Sequence, residues 1–137
     1  LGVIFKELGE LQKAKSCYEK AIQINPNHVF ALNNLGVLFH KLGDYQKAKE
    51  CYEKAIQLDP NYVDAHSNLG NEYYEIQKFK EAKNCYIKAL NLDPLKKQTN
   101  LGYGQLLLSL NQHEKGLEYI KKGSGFVEFT QKNFRII

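Results

Sequence analysis

Three cysteines are the side chains of this sequence best suited to metal binding or covalent chemistry. Cys17, Cys51 and Cys85 are separated by a constant 34 residues, and no two of them form the C-x-x-C pair typical of structural zinc sites. A disulfide needs Cα atoms within about 7 Å, whereas neighbouring packed helices lie about 8–10 Å apart. We therefore expect three small, buried, reduced thiols between helices, and reduced thiols favour a cytoplasmic location.

The four histidines do not combine with other residues into a catalytic group. His28, His40, His66 and His113 share no spacing, and no carboxylate or thiol is placed to complete a nucleophilic dyad with any of them. The stretch 102–104, Gly-Tyr-Gly, is a single G-x-G within an expected helix, where close packing explains it better than phosphate binding. The sequence therefore predicts no catalytic residue, no metal and no cofactor, and the segment is not expected to be an enzyme.

Composition and charge exclude two classes of partner. Of the 137 residues, 43% are hydrophobic and 25% charged, which is ordinary for a folded domain, and no apolar run could span a bilayer. The net charge is +4, and residues 97–137 hold six basic against three acidic residues, so the excess does not form a basic stripe along the chain. We therefore expect no membrane and no nucleic-acid partner. Because the chain starts at Leu1 without a Met or a signal peptide, we interpret it as a fragment of a longer protein.

The elements that must position these residues repeat with a period of 34. The heptapeptide Cys17–Gln23 recurs unchanged as Cys51–Gln57, and prolines fall at positions 26, 60 and 94. A period of this length with helical patterning is typical of tetratricopeptide repeats, and the sequence resembles that family. The resemblance implies an all-α fold, a right-handed α-solenoid of antiparallel helix pairs in which each pair leaves an apolar face for the next pair to cover.

Small residues recur where the two helices of each pair would cross. Antiparallel helices approach closely only where one presents a small residue to the bulk of the other. The expected bulky residues are Phe5, Phe39 and Tyr73, and Tyr18, Tyr52 and Tyr86. The expected small residues form three sets, which are Gly2, Gly36, Gly70 and Gly104, then Ala14, Ala48, Ala82 and Gly116, then Ala21, Ala55, Ala89 and Gly123.

Turn residues predict the helix boundaries. First helices are expected near 1–8, 29–41, 63–76 and 97–110, and second helices near 11–24, 45–58, 79–92 and 113–122. We expect Gly9 and Gly43 to end first helices and Asp44 to cap a second helix. We expect Asn27 and Asn61 to cap the first helices that follow them.

The repeats organise the chain into an array and a tail. The array is expected to cover residues 1–122, as a partial repeat 1–28, repeats 29–62 and 63–96, and a degenerate repeat 97–122. The run Gly-Ser-Gly at 123–125 is expected to stop the last helix. Residues 123–137 then form a C-terminal tail or the start of a missing domain, with two short β-like segments at 126–130 and 134–137.

The resemblance also implies a concave groove that is lined by the first helices and binds peptides. Asn34 and Asn68 lie one repeat apart on that face, and they resemble the asparagine ladder on the tetratricopeptide arm of O-linked N-acetylglucosamine transferase, which holds extended peptides by their backbone. In the alternative interpretation they are only solvated residues before a Leu-Gly pair. The candidate peptide-binding residues are Phe30, Asn33, Asn34, Val37, Lys41, Ser67, Asn68, Asn71, Tyr74 and Gln105.

A second binding mode of the family, the carboxylate clamp for acidic C-terminal tails of chaperones, is not expected here. The clamp needs basic side chains from successive first helices, because a carboxylate is bound best by charged donors. None of the residues at those positions is basic, and they are Asn33, Asp64, Asn68, Gln98 and Gly102.

The sequence therefore predicts a protein–protein interaction scaffold that binds a peptide or protein segment in its groove. Two alternatives stay open. The segment could be the recognition or assembly arm of a larger enzyme of the glycosyltransferase, sulfotransferase or oxygenase type. It could instead form homo-oligomers through the apolar faces at its solenoid ends.

Overall fold

The computed structural model describes the backbone of residues 2–124 and the side chains of residues 6–124, and every regular element in this part of the chain is an α helix. The chain divides into two compact units, residues 1–68 and 69–137, with the division inside one helix. No helix in the described range is long and apolar enough to cross a membrane. The helices are α1 (Gly2–Ile24), α2 (Val29–Lys41), α3 (Tyr45–Leu58), α4 (Val63–Glu75), α5 (Phe79–Leu92), α6 (Lys97–Ser109) and α7 (His113–Ser124).

Three equivalent turns explain why the predicted boundaries of α2 to α6 agree with the structure to within one residue. Gly43, Gln77 and Asn111 are spaced by 34 residues, and each has a positive φ, of 82°, 63° and 64° respectively. A left-handed residue just after a helix ends it and redirects the chain, which glycine and asparagine do at little cost. Asp44 then begins α3 as predicted, since its Oδ1 accepts a hydrogen bond from the Lys47 backbone N–H at 3.2 Å.

The first predicted turn is wrong, because Gly9 lies inside the continuous helix α1. Gly9 is the equivalent of Gly43, so its backbone could turn there. The next residue differs, however, because Glu10 stands where Asp44 caps α3. A glutamate is a poorer N-cap than an aspartate. That difference does not by itself explain the unbroken helix, since α5 begins after Lys78, which makes no side-chain cap bond either.

The predicted caps at Asn27 and Asn61 are also wrong. Each asparagine instead donates its backbone N–H to the side chain two residues earlier, to Asn25 Oδ1 and to Asp59 Oδ1, both at 3.1 Å. The third copy repeats the turn, with Leu95 N–H donating to Asp93 Oδ1 at 3.2 Å. These are Asx turns around the repeated proline. After the first of them the next residue is the cap, since His28 Nδ1 accepts a hydrogen bond from the Ala31 backbone N–H, whereas the equivalent Lys96 makes no side-chain cap of α6.

The first unit is held together by α2, which packs against α1 and α3. Gly36 confirms the predicted close approach, since a Cβ atom there would lie 2.5 Å from the ring of Tyr52. Tyr52 is 2% exposed, and Ala48 and Ala55 on the same helix are fully buried. The tyrosine ring therefore fills the space that the glycine leaves open.

The second unit repeats this arrangement with a larger aromatic core. Gly70 faces the ring of Tyr86, which is 1% exposed and packs with Tyr103 and Leu106. Tyr103 in turn meets Tyr119 edge to face, with ring centroids 4.6 Å apart. This geometry is favourable for aromatic pairs and joins the two helices of the degenerate fourth copy. The contact between Tyr86 and Tyr103, with ring centroids 6.2 Å apart, joins that copy to the preceding repeat.

Helix α7 extends further than the sequence indicated. It runs to Ser124, so Gly123 does not stop it. Gly123 is buried, and a Cβ atom there would lie 2.6 Å from the Leu101 side chain and 2.8 Å from the Lys97 carbonyl oxygen. It therefore acts as the small contact residue that was predicted from its equivalents Ala21, Ala55 and Ala89. The two β-like segments expected at 126–130 and 134–137 lie outside the described residues.

Candidate peptide-binding surfaces

In the first unit, four predicted residues form one face of α2. Phe30, Asn34, Val37 and Lys41 are spaced by four, three and four residues, which places them on a single side of a helix. Phe30 is 58% exposed and Lys41 is exposed, whereas Asn34 and Val37 are half-buried. No hydrogen bond joins the Asn34 side chain to another described residue. This face offers one amide between apolar spots and carries a single positive charge.

The two asparagines of the predicted ladder have different surroundings. Asn68 is 8% exposed, and its Nδ2 donates a hydrogen bond of 3.0 Å to Asn33 Oδ1, which is itself buried. Its neighbour Ser67 is fully buried. The amide of Asn68 thus already links α4 to α2, whereas the Asn34 side chain makes no such link, so the two equivalent asparagines differ in how accessible their amides are.

Replacing Asn68 with alanine is expected to lower the free energy of unfolding of the first unit by about 1–2 kcal/mol, because Asn33 Oδ1 would stay buried without its donor. Urea denaturation followed by circular dichroism measures this. Asn34→Ala is the matched control and should change stability by less than about 0.5 kcal/mol. Equal stability of the two variants would show that the Asn33–Asn68 bond contributes nothing.

In the second unit, a hydrogen bond from Tyr86 fixes the orientation of the Asn71 side chain. The hydroxyl of Tyr86 donates to Asn71 Oδ1 at 2.5 Å, and the amide nitrogen of Asn71 donates to no other described residue. Burial raises the pKa of Tyr86 well above its ordinary value, so the phenol keeps the proton that it donates. A side chain at position 102 would collide with this pair, since a Cβ atom there would lie 2.9 Å from the Tyr86 ring and 3.1 Å from Asn71 Oδ1. Gly102 therefore keeps the space beside Asn71 open.

Tyr74 lies one helical turn after Asn71 and is held by a short hydrogen-bonded chain. Ser109 donates its only hydroxyl proton to the Gln105 carbonyl oxygen at 3.1 Å. The 2.8 Å contact between the hydroxyls of Tyr74 and Ser109 is therefore donated by Tyr74. The ring of Tyr74 also packs against Phe79, with centroids 5.7 Å apart, and Gln105 is exposed on α6. The Tyr74 hydroxyl thus donates its one proton to Ser109, and its oxygen can still accept a hydrogen bond.

Comparison with known families decides which kind of repeat this is. A profile described as "Tetratricopeptide repeat" matches residues 29–62 and 63–94, and one described as "TPR repeat" matches residues 2–43, so together they cover more than half of the chain. The chain belongs to the tetratricopeptide-repeat family. The matched segments include the predicted repeat 29–62 and all of α1.

Solved structures of tetratricopeptide-repeat proteins share the fold. MamA from Desulfovibrio magneticus RS-1 superposes with a TM-score of 0.73 at 23% identity, over 93% of this chain and 72% of that one. The first TPR domain of Spaghetti (RPAP3), bound to the HSP90 peptide SRMEEVD, gives 0.71 at 24% identity, over 80% and 87%. YrrB, described as a TPR protein with an unusual peptide-binding site, gives 0.72 at 27% identity, over 81% and 57%. The predicted all-α helical solenoid is confirmed.

A curated relative matches a single repeat of the chain. An uncharacterised protein named ycf37 from Pyropia yezoensis is 60% identical over 35 residues, which is 26% of this chain and 20% of that protein. The chain therefore matches about a fifth of the length of this relative, and the match shows a shared repeat.

Two polar residues that were not among the predicted site residues hold the turns of the repeat. His66, 7% exposed, donates its Nε2 proton to the Pro60 carbonyl oxygen at 2.8 Å. One repeat later, Asn100 Nδ2 donates to the Pro94 carbonyl oxygen at 3.0 Å. Each proline carbonyl lies two residues past the end of a helix, where an intrahelical donor is missing, and Asn100 Nδ2 also donates to the Lys96 carbonyl oxygen at 2.9 Å. The equal six-residue spacing from each proline is the signal that could have revealed this function.

The cysteines are less buried than predicted, although nothing suggests a reactive site. Cys17 is exposed, and Cys51 and Cys85 are half-buried. Each cysteine precedes a tyrosine by one residue and so points about 100° away from it, and Tyr52 and Tyr86 are the tyrosines that enter the core. Burial, followed by the negative charge of Glu50, raises the pKa of Cys51 to about 11, which keeps that thiol neutral. Among the described residues, no group of three or more His, Cys, Asp or Glu side chains could hold a metal ion.

Proposed function

We propose that this tetratricopeptide-repeat chain is a protein-interaction scaffold that binds an extended peptide through the backbone of the ligand. The observation that supports the proposal best is the pairing of Asn71 with Tyr74 in the second unit. Within the protein, Asn71 uses its acceptor oxygen and Tyr74 uses its donor proton. The groups that remain are an amide donor and a phenol acceptor, which are the complements of a peptide C=O and a peptide N–H.

The position of the two residues fits an extended ligand. Asn71 and Tyr74 are three residues apart on α4, so their side chains are neighbours on the helix surface, roughly 5–6 Å apart at Cβ. Backbone groups on the same side of an extended chain recur every second residue, which at about 3.3 Å per residue is a comparable spacing of about 6.6 Å. Because internal hydrogen bonds already orient both side chains, little conformational entropy is lost when a peptide binds.

In the first unit, the face of α2 would contribute a comparable set of contacts. Asn34 supplies an amide that can both donate and accept, and Phe30 and Val37 supply apolar contact area on either side of it. Lys41 adds one positive charge at the end of the helix. This composition suits an uncharged or mixed-sequence peptide better than a strongly acidic one.

Structures of the same fold support a peptide as the class of partner. The Spaghetti (RPAP3) domain was solved with a peptide, and YrrB is described by its peptide-binding site. The basic residues of a carboxylate clamp are absent here, since Asn33 and Asn68 at two of those positions bond to each other. We therefore propose a ligand other than an acidic tail of the SRMEEVD type.

A peptide-array screen tests this proposal. Peptides that bind the wild-type chain should bind the Asn71→Ala variant about 3- to 10-fold more weakly, because one hydrogen bond to the ligand backbone is lost. Tyr74→Phe should weaken the same peptides to a similar degree. Asn84→Ala, which changes an exposed asparagine of α5 instead, is the matched control and should leave affinity unchanged.

Modified ligands distinguish recognition of the peptide backbone from recognition of the peptide side chains. N-methylation of single backbone amides should abolish binding at one or two positions, whereas alanine substitution of ligand side chains should be tolerated at those positions. Peptides that bind Asn71→Ala and Tyr74→Phe as tightly as the wild type would contradict backbone recognition by these residues. A preference for SRMEEVD would contradict the proposed ligand class.

A further inference from the structure

A groove in the first unit lies on the side of α2 opposite the candidate peptide-binding face. Its floor consists of Ile22 of α1 and of Leu32, Leu35 and Phe39 of α2, and residues of α3 form its wall. The floor residues of α2 are offset by two positions from the residues of the binding face, which is about 200° around a helix. The cavity has a volume of about 330 Å³, which is within the usual range for small-molecule sites. The groove is therefore a second surface, separate from the one assigned to peptides.

Two lysine ammonium groups lie over the ring of Phe39, at the end of the groove nearest the turn between α2 and α3. Lys15 Nζ is 5.5 Å and Lys47 Nζ is 5.6 Å from the ring centroid, and both distances are typical of cation–π contacts. Their ion pairs, with Glu19 at 3.6 Å and Asp44 at 3.8 Å, are long and partly exposed, and such pairs contribute little stability. Two like charges are thus held beside one apolar ring, where an anion between them would offset their repulsion.

The α3 wall of the groove carries basic and apolar groups. Lys54 lines the groove about 10 Å further along the helix than Lys47, and it forms no ion pair with another described residue. Glu50 is the only acidic residue among those that line the groove, and its Oε1 accepts a hydrogen bond of 3.2 Å from Gln46 Nε2. The thiol of Cys51 is neutral, because burial, followed by the charge of Glu50, raises its pKa. The groove therefore combines an apolar interior with an excess of positive charge.

We propose that this groove binds a small amphipathic anion, an alkyl chain with one terminal carboxylate. The carboxylate lies between the ammonium groups of Lys15 and Lys47, which offer it charge-assisted hydrogen bonds. The alkyl chain extends along α3 towards Lys54 and covers the side chains of Leu35 and Ile22, so that apolar surface is removed from water. An uncharged or cationic compound with the same chain lacks the first of these contacts.

Isothermal titration calorimetry with octanoate tests the role of the charge. Octanoate should bind the wild-type chain about 10-fold or more tightly than octanol or octylammonium, which share its alkyl chain and lack its negative charge. Lys47→Glu introduces the charge of Glu81, the equivalent residue one repeat later, and should weaken octanoate binding about 10-fold. Lys13→Glu makes the same change at the equivalent, exposed position of α1, outside the groove, and should leave the affinity unchanged.

Filling the groove tests where the ligand lies. Cys51→Phe places an aromatic ring on the α3 wall and should abolish octanoate binding, because the ring takes the space of the alkyl chain. Cys17→Phe makes the same change at the equivalent position of α1, which is exposed, and should bind octanoate as the wild type does. Circular dichroism checks that both variants keep the helix content of the wild type. Undiminished binding by a folded Cys51→Phe variant would overturn the proposed site.

Protection of the native cysteines gives the same answer without any substitution. Alkylation by iodoacetamide at a pH of about 9, followed by mass spectrometry, should be slowed about fivefold at Cys51 by saturating octanoate. The exposed Cys17 of the same molecule is the control, and its alkylation rate should not change. Equal protection of the two cysteines, equal affinity for octanoate and octanol, or no octanoate binding at millimolar concentrations would refute the proposal.

Discussion

Replacing Tyr86 with alanine should lower the free energy of unfolding of the second unit by about 3–5 kcal/mol, the usual cost of removing a buried aromatic side chain. The ring is 1% exposed and fills the space beside two glycines, Gly70 and Gly102. The two glycines have no side chains that could move into the cavity that alanine would leave, so that side of it stays open. Urea denaturation monitored by circular dichroism and by tyrosine fluorescence measures the change.

Tyr86→Phe separates the ring from the hydroxyl. Phenylalanine keeps the packing against Tyr103 and Leu106 and removes only the donor to Asn71, so we expect a loss of about 1 kcal/mol. The same variant frees Asn71 to rotate, and peptide affinity should fall although the fold is kept. A phenylalanine variant as unstable as the alanine variant would show that the hydroxyl, and not the ring, stabilises this unit.

The repeat period made most of the fold predictable because it marks equivalent positions without any knowledge of their contacts. Gly43, Gln77 and Asn111 take the same left-handed conformation although their side chains differ. A helical pattern interrupted at a fixed interval therefore locates the turns even where the residue type is a poor indicator. Gly9 shows the limit of that inference, because the position is equivalent and the residue is suitable, yet α1 continues through it.

The candidate site was less predictable because its contacts are not repeated. Asn34 and Asn68 are equivalent in the period, yet Asn68 bonds to Asn33, whose own equivalent is Ser67. A hydrogen bond between residues at two different positions of the repeat depends on both residues. Comparing the residues found at one position in successive repeats cannot reveal it. Asn71 is a similar case, since its partner Tyr86 was assigned to packing alone. The peptide-binding function of these residues stays a prediction.

The fourth helix pair departs from the repeat in a way that sets its own packing distance. Gly116 stands where the other pairs have alanine, and it faces Gly104. A Cβ atom at 104 would lie 2.7 Å from the Gly116 carbonyl oxygen and 2.9 Å from the Ile120 backbone nitrogen. The sequence features that made this copy look degenerate thus allow two helix backbones to touch directly.

Gly104→Ala should therefore destabilise the second unit by about 3 kcal/mol, at the upper end of the range for overpacking, because two of the three nearest atoms belong to the backbone and cannot rotate away. Gly70→Ala should cost less, since its Cβ atom would meet only the Tyr86 ring, at 2.9 Å. Gln105→Ala, an exposed change on the same helix, controls for helix propensity and should leave stability within about 0.5 kcal/mol of the wild type. Thermal and urea unfolding of the three variants would rank them. If Gly104→Ala proved as stable as Gln105→Ala, the two helices would have room to separate, and the glycine pair would not set their distance.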